Sequence, residues 1–398
     1  MNFLKRFKKT FHITFWEAVI ALTVIIVFFI LRYTLEHITV PIIILGFLVG
    51  IWLAFRPSEW AVEGLNSSAK YVGLSEYVAG IFSSLASNLP EAVIAVMLLL
   101  KGQELIAVIT VLSAAGFNTL ILGFAILVAT WKKWEIKVPA DLEKKESPLI
   151  RWAIVALLMT AVFGIIEYIH VLDSDSFVLT DAKLTKPVAS LLALSYVIYL
   201  VFIIGRKEEE TEKIIVTDDT EMQKVDDDKE EKDSKSHKKD NEELLSKPMT
   251  ILMLVMGFTG IFFGGESLTW CVEELLHGTT SFELSPITIA LILGAAGAVP
   301  EHGIAIVSAI KHDIDVALGN SIGGILQSAL LIFGILGMII SITLHPFIVL
   351  QLTAIAGVLW FVKRCIHDGK FDTFEAVMII LIQILIFVIL FEDISIFE

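Results

Sequence analysis

Two stretches of the chain decide its fold. Residues 83–123 read SSLASNLPEAVIAVMLLLKGQELIAVITVLSAAGFNTLILG, and residues 293–334 read LGAAGAVPEHGIAIVSAIKHDIDVALGNSIGGILQSALLIFG. Each stretch has a Pro-Glu pair inside an apolar run, and the two glutamates are Glu91 and Glu301. Superimposing these glutamates aligns Lys101 with Lys311, and Asn118 with Ser328, which Gln327 precedes. The chain therefore contains an internal repeat.

The composition is that of a membrane protein. The 398 residues are 56% hydrophobic with a mean hydropathy of +0.79, which is more apolar surface than one soluble core can hide. A net charge of −14 disfavours nucleic acid as a partner, so we expect none. The two cysteines, Cys271 and Cys365, show no CxxC pattern, so neither a disulfide framework nor a zinc site is indicated.

Eleven apolar stretches are long enough to cross a bilayer, which takes about 20 residues of helix. They lie near residues 13–33, 39–56, 71–100, 104–130, 149–170, 187–205, 248–275, 286–310, 314–342, 346–362 and 374–391. The first is too long for a signal-peptide core and is predicted to be retained as a span. We therefore expect an all-α polytopic fold of about 11 transmembrane helices, interrupted at Pro90 and Pro300.

Lysine and arginine positions predict the orientation of the chain in the membrane. Basic residues concentrate at the N-terminus and in alternate loops: Lys5, Arg6, Lys8, Lys9; Arg56, Lys70; Lys132, Lys133, Lys137, Lys144, Lys145; Lys311; Lys363, Arg364, Lys370. Most loops on the opposite side nearly lack lysine. We expect a multi-pass protein of the cell membrane, with a cytoplasmic N-terminus and an external C-terminus.

One hydrophilic segment separates the two halves. Residues 206–247 contain 16 acidic and 10 basic residues with few apolar ones, which is typical of a solvated, unfolded linker. The alternative is a calcium-sensing tether, although no DxDxDG spacing is present. We expect this linker to be cytoplasmic. The predicted division of the chain is an extra N-terminal helix (1–38), a first five-helix repeat (39–205), the linker (206–247) and a second five-helix repeat (248–398).

The two repeats are predicted to be inverted. Counting crossings places the start of the third span in the cytoplasm and the start of the eighth span outside. Inverted repeats with discontinuous helices that meet at mid-membrane are typical of secondary transporters. A proline inside each helix frees backbone carbonyls, and Ser87 and Asn88 add side-chain oxygen before Pro90.

A glutamate at bilayer depth is costly and indicates a functional site. Two carboxylates that face each other balance one divalent cation, and Ca²⁺ takes 6 to 8 oxygen ligands. Once the ion leaves, desolvation and mutual repulsion favour protonation of the pair. We therefore predict that Glu91 and Glu301 are both Ca²⁺ ligands and proton carriers in an antiporter with alternating access, with Ser87, Asn88 and Ser328 as further candidate ligands.

These residues resemble the calcium/cation antiporter superfamily, whose two repeats each carry a glutamate in a broken helix. The second repeat looks most similar to the cation/proton exchangers, through Glu301-His302, Lys311, Asp315, Leu318-Gly319, Gly323 and Gln327. The resemblance implies eleven spans with a first span outside the repeat core and an acidic segment between the halves. It also implies Glu91 and Glu301 as central ligands, with Asn118 and Gln327 as neighbouring polar gates.

Some positions depart from that family. The Pro-Glu pairs at Pro90 and Pro300 resemble the sodium/calcium exchanger branch, in which a second-repeat aspartate would stand at Ser328. The first repeat has Ser113-Ala114 where a Gly-Ser pair is expected, and Phe117 where a small polar residue is expected. A sodium/calcium exchanger on the same fold is therefore the alternative function, with Na⁺ in place of H⁺.

Other polar residues in the spans have two interpretations each. Glu266 is either part of a proton path or a structural residue, and His302 either relays protons or makes a local hydrogen bond. Asn320 and the Gly323-Gly324 pair serve either ligation or tight packing. The chain lacks Ser/His, paired-aspartate or HExxH patterns at workable spacing, so we expect no enzyme activity and no cofactor, with Ca²⁺, protons and the lipid bilayer as partners.

Overall fold

The structure is a computed structural model. It describes residues 11, 13–35, 37–72, 85–131, 133–138, 142, 147–173, 183–202, 245–276 and 284–392. The helices of the first half are α1 (Phe15–Thr34), α2 (Val40–Val72), α3 (Leu89–Leu100), α4 (Glu104–Thr130), α5 (Ser147–Asp173) and α6 (Lys186–Phe202). Those of the second half are α7 (Lys247–Leu276), α8 (Pro286–Ile310), α9 (Ile314–Leu326), α10 (Phe333–Ile339), α11 (Pro346–His367) and α12 (Thr373–Glu392).

Each of the eleven predicted spans contains a helix. Eight helical stretches among the described residues are long and apolar enough to cross a membrane, and three shorter apolar ones accompany them. One of the eight, Ile314–Ile339, is not uniform, since a π-helical segment (Gln327–Ile332) joins α9 to α10. The predicted all-α polytopic fold is confirmed.

Helix α2 is longer than the sequence predicted. The second span was expected to end at residue 56, but α2 continues through Pro57 to Val72. The charge of Arg56, which suggested the end, is neutralised within the fold: its guanidinium lies 3.2 Å from the Glu17 carboxylate and 2.9 Å from that of Glu59. A proline removes only one backbone donor, so the helix continues where its charges are paired.

The two proline positions differ in their effect on the helices. In the first repeat, residues 85–87 are helical, Asn88 forms a turn and α3 begins at Leu89, so the predicted interruption lies beside Pro90. In the second repeat, α8 runs from Pro286 to Ile310 without a break, contrary to the expected interruption at position 300. A membrane helix tolerates the loss of one backbone hydrogen bond when neighbouring helices hold it, and α8 packs along α4.

Glycines bring the two halves into close contact. Helices α2 and α7 pack antiparallel, because Gly46 lies against Cys271 at one end and Gly64 against Leu254 at the other. Between them, a Cβ added at Gly264 would lie 2.7 Å from the backbone nitrogen of Ala54. Helix α5 packs on α11, and α4 packs on α8. Small residues permit such close helix packing in a membrane, where no hydrophobic effect drives association.

Four short strands show the inverted symmetry of the halves. Strand β1 (Glu135–Lys137) pairs with β4 (Lys370–Asp372), and β2 (Lys183–Leu184) pairs with β3 (Ile342–Thr343), both antiparallel. Each pair joins a loop of one half to a loop of the other, at opposite ends of the bundle. The loops that sequence counting assigned to the same side of the membrane are therefore on the same side in the structure.

Candidate cation site

Glu91 lies at the N-terminal end of α3, directly after the turn at Asn88. Pro90 occupies the first turn of α3, where its missing N–H costs no helical hydrogen bond. The Glu91 side chain is completely buried, and one carboxylate oxygen, Oε2, accepts a hydrogen bond of 3.1 Å from Ser328 Oγ. A carboxylate from the first repeat is thus in direct contact with a hydroxyl from the second.

A second cross-repeat contact lies beside the first. Asn88 Nδ2 donates a hydrogen bond to Gln327 Oε1, and both side chains are buried, as is Ser87. Gln327 and Ser328 are the first two residues of the π-helical segment. Single π-helical turns inside α-helices are frequently found at functional sites. Four of the predicted site residues, Asn88, Glu91, Gln327 and Ser328, therefore meet at one place.

Asn118 occupies the corresponding helix of the first repeat. It is fully buried in α4, and neither its Oδ1 nor its Nδ2 has a hydrogen-bond partner among the described residues. A buried carboxamide in that condition costs free energy unless a ligand or water satisfies it. The structure gives Asn118 no hydrogen bond to the Glu91 group, so its role as a gate stays a prediction.

Helix α8 packs directly against Glu91. A Cβ added at Gly297 would lie 3.2 Å from both Cα and Cβ of Glu91, so the α8 backbone passes directly over this residue. Position 301 follows four residues later on the same face of α8. The side chains of Glu301 and His302 lie outside the described residues, and the predicted pairing of the two glutamates stays a prediction.

The candidate cation ligands in the described part of the site are hard oxygen atoms, and most of them are uncharged. Around Glu91 they are the Ser328 hydroxyl and the carboxamides of Asn88 and Gln327. Within the described ranges, no group of three or more His, Cys, Asp or Glu side chains is placed so that it could hold a metal ion. Hard oxygen ligands suit Ca²⁺, Na⁺ or a proton and do not suit a transition metal.

Glu266 has a structural partner that the sequence reasoning missed. Arg32 Nη1 and Nη2 each lie 2.7 Å from a different Glu266 carboxylate oxygen, a bidentate pair that joins α1 to α7. The Arg32 guanidinium also lies over the Trp270 ring, 4.8 Å from its centroid. This geometry supports the structural interpretation of Glu266. This pairing could have been predicted from Arg32 at the end of the first apolar stretch, because a charged side chain in a span requires a partner of opposite charge.

Asn320 and Gly323 lie half-buried on α9, which leaves both interpretations of them open. The acidic segment 206–247 falls outside the described residues except for its end from residue 245, as does the basic run at residues 5–9. The linker and sensor interpretations of that segment therefore stay predictions.

A helical membrane bundle made of inverted repeats, with a carboxylate buried where the repeats meet, defines a secondary transporter. The family model for "Sodium/calcium exchanger protein" matches residues 39–205 and 249–392, which is more than half of the chain. The chain belongs to this family, and thus to the calcium/cation antiporter superfamily that its sequence resembles. It is a cation exchanger of that fold.

Solved structures of exchangers share this architecture. The crystal structure of the H⁺/Ca²⁺ exchanger CAX matches with a TM-score of 0.64 at 12% identity, covering 94% of this chain and 91% of that one. Native YfkE matches with a TM-score of 0.63 at 18% identity, over 94% and 98% of the two chains. The sodium-calcium exchanger NCX_Mj, soaked with Na⁺ and Ca²⁺, matches with a TM-score of 0.54 at 16% identity, over 87% and 98%. At these identities the likeness shows the fold alone. No curated protein matches the chain in sequence.

Proposed function

We propose that this exchanger moves Ca²⁺ in one direction and protons in the other, with Glu91 and Glu301 as the shared site. The observation that carries the proposal is the complete burial of Glu91, whose carboxylate accepts a hydrogen bond from the neutral Ser328 hydroxyl of the other repeat. A carboxylate in a low-dielectric interior is costly to keep charged, so Glu91 requires a bound cation or a proton during the transport cycle.

The number of charges supports protons as the counter-ion. Ser328 supplies a neutral hydroxyl to Glu91, at the position where the sodium/calcium exchanger branch is expected to carry an aspartate. With Glu91 and Glu301 as the carboxylates, the site balances one Ca²⁺ or two protons. Binding several Na⁺ ions together requires more negative charge than two carboxylates offer.

The test is Ca²⁺ flux into proteoliposomes that hold the purified protein in sodium-free buffer. An imposed pH gradient should drive Ca²⁺ uptake, and collapsing the gradient with a protonophore should stop it. Glu91→Gln should abolish uptake, because the amide keeps the shape of the carboxylate but carries neither charge nor an exchangeable acid proton. Glu301→Gln should have the same effect.

Glu104→Gln is the matched control, since Glu104 begins α4 in the same repeat and is exposed. This variant should transport like the unmodified protein. Robust pH-driven uptake by Glu91→Gln would overturn the assignment of the site. Absence of pH-driven uptake by the unmodified protein would overturn the proton coupling itself.

Sodium/calcium exchange is the second candidate, and the Pro-Glu pair at the start of α3 favours it. It predicts no Ca²⁺ movement in the sodium-free assay and rapid uptake once a sodium gradient is imposed.

A cell-membrane location with a cytoplasmic N-terminus is part of the proposal, as is the division of the chain at residues 38, 205 and 247. Accessibility of single introduced cysteines to a membrane-impermeant reagent tests the orientation.

A further inference from the structure

A second buried polar cluster lies next to the candidate cation site. Gln351 on α11 donates a hydrogen bond from Nε2 to Ser113 Oγ on α4, at 3.0 Å. Thr110 lies one helical turn before Ser113 on α4. All three side chains are at least 97% buried, with exposures of 3% for Gln351 and 0% for Ser113 and Thr110. None of them belongs to the predicted cation site.

Thr110 differs from other buried threonines of the bundle. The hydroxyls of Thr119, Thr130 and Thr160 each donate to the backbone carbonyl four residues earlier, at 2.8–3.0 Å. The Thr110 hydroxyl, in the same kind of helix, has no hydrogen-bond partner within the described part of the chain, and neither does Gln351 Oε1. Buried polar groups without protein partners are normally satisfied by ordered water.

The position of this cluster relates it to Glu91. A Cβ added at Gly294 of α8 would lie 2.7 Å from Ser113 Cβ and 2.9 Å from the Thr110 carbonyl oxygen. Gly297, three residues further along α8, lies against Glu91. Three residues of helix span about 4.5 Å, so the cluster is one turn away from the buried carboxylate along α8.

The cluster lies between Glu91 and one end of the bundle. Thr110 follows the start of α4 by six residues, and Gln351 follows the start of α11 by five. Helix α11 begins just after β3, which marks this as the β2–β3 end. The repeat-related positions of Thr110 and Ser113 on α9 are Asn320 and Gly323, so the second half has no hydroxyl pair there.

We propose that Thr110, Ser113 and Gln351 hold water in a hydrogen-bonded path through which protons reach Glu91 from the β2–β3 end. The proposal rests on the proton coupling argued above. Hydroxyls and water both donate and accept, so each transfer forms one O–H bond and breaks one, with a net gain of one proton at the carboxylate. Gln351 is a positioning residue, because its amide orients Ser113. The path has no charged side chain among the described residues, so it suits a proton and not Ca²⁺.

The test compares two exchange modes in proteoliposomes. The first is Ca²⁺ flux driven by a pH gradient, and the second is exchange of isotopically labelled for unlabelled Ca²⁺ at equal pH, which moves no protons. Thr110→Val and Gln351→Leu should slow the first mode about tenfold, the rate equivalent of one lost hydrogen bond to bridging water, and leave the second unchanged. Thr110→Ser, which keeps the hydroxyl, should restore the pH-driven rate.

Thr119→Val is the matched control, because Thr119 lies on the same helix, is equally buried and has its hydroxyl bound to the Ala115 carbonyl. It should leave both modes unchanged. Equal slowing of both modes by Thr110→Val would overturn the path and assign Thr110 to packing or to the cation route. Unchanged pH-driven flux in Thr110→Val and Gln351→Leu would also overturn it. Failure of the proton coupling itself is separate, since the unmodified protein would then show no pH-driven flux.

Discussion

Removing both partners of the Arg32–Glu266 pair should destabilise the protein by less than the sum of the two single changes. The pair is bidentate at 2.7 Å, with 11% of the Arg32 side chain and 33% of the Glu266 side chain exposed. Breaking a buried ion pair costs about 3–5 kcal/mol, and the partial exposure of Glu266 reduces this to about 2–3 kcal/mol for Arg32→Gln. Loss of the guanidinium over Trp270 adds about 0.5–1 kcal/mol.

The measurement is a double-mutant cycle on the free energy of unfolding in mixed detergent micelles. Glu266→Gln leaves an unpaired guanidinium and should cost about 2 kcal/mol, whereas Arg32→Gln/Glu266→Gln leaves no charge and should cost less than the sum of the single changes by at least about 1 kcal/mol. Additivity of the two single effects within about 0.5 kcal/mol would refute the reasoning, because independent sites behave in that way.

The Lys101–Glu273 pair supplies a comparison within the same bundle. It also joins a helix end to α7, through Lys101 Nζ and Glu273 Oε2 at 3.0 Å, but it is not bidentate and the Lys101 side chain is 52% exposed. Exposed single-contact pairs contribute about 0.2–1 kcal/mol. Lys101→Gln should therefore cost much less than Arg32→Gln in the same assay.

Three further changes test the packing, the turns and an exposed ion pair. Gly297→Ala places a Cβ 3.2 Å from Glu91 Cα, so it should displace Glu91 and raise the Ca²⁺ concentration for half-maximal transport by about tenfold, read from initial flux rates. Gly102→Ala should lower the free energy of unfolding by about 1–2 kcal/mol, because Gly102 has φ +77 in the turn before α4. Gly357 lies within helix α11 with open space around it, so Gly357→Ala should raise the free energy of unfolding by about 0.5–1 kcal/mol in the same assay. The hydrogen bond from Lys370 to Glu135 raises the Lys370 pKa above its ordinary value, so the contribution of the pair to stability is fully present at neutral pH and is lost only as the pH rises through the folded-state pKa. Glu135→Gln should therefore alter the melting temperature only below that pH, and only slightly, because the pair is exposed.

The architecture could be predicted from the sequence because each transmembrane span is indicated by residues within that span. Each span carries an apolar run of its own, and the repeat at Glu91 and Glu301 needs only a comparison of the chain with itself. The predicted end of α2 was wrong because it depends on a contact between residues that are far apart in the sequence. Whether Arg56 ends a helix depends on Glu17, which is distant in sequence and close in space.

The candidate site was predictable in its residues but not in its contacts. Polar groups beside a proline in an apolar run identify Asn88 and Glu91, and the repeat adds Ser328. The hydrogen bond of Asn88 to Gln327 depends on how the two halves pack, which no local pattern specifies. Gln351 was missed because a single glutamine in a span has no repeat partner to distinguish it.

The π-helical segment determines how residues of the two halves correspond. The first quoted stretch has 41 residues and the second has 42, although both begin eight residues before their glutamate. Glu91 and Glu301 differ by 210 in residue number. If that difference held throughout the repeat, Gly334 would correspond to Phe124, which is exposed, although Gly334 itself packs closely on α6. A difference of 211 matches Gly334 with Gly123, which packs on α12, the counterpart of α6. The difference therefore changes from 210 at Ser328 to 211 at Gly334, which is explained by one residue inserted between Ser328 and Phe333 and accommodated by the wide π turn. The insertion lets Ser328 keep its place beside Glu91 while the glycine beyond it keeps its own neighbour.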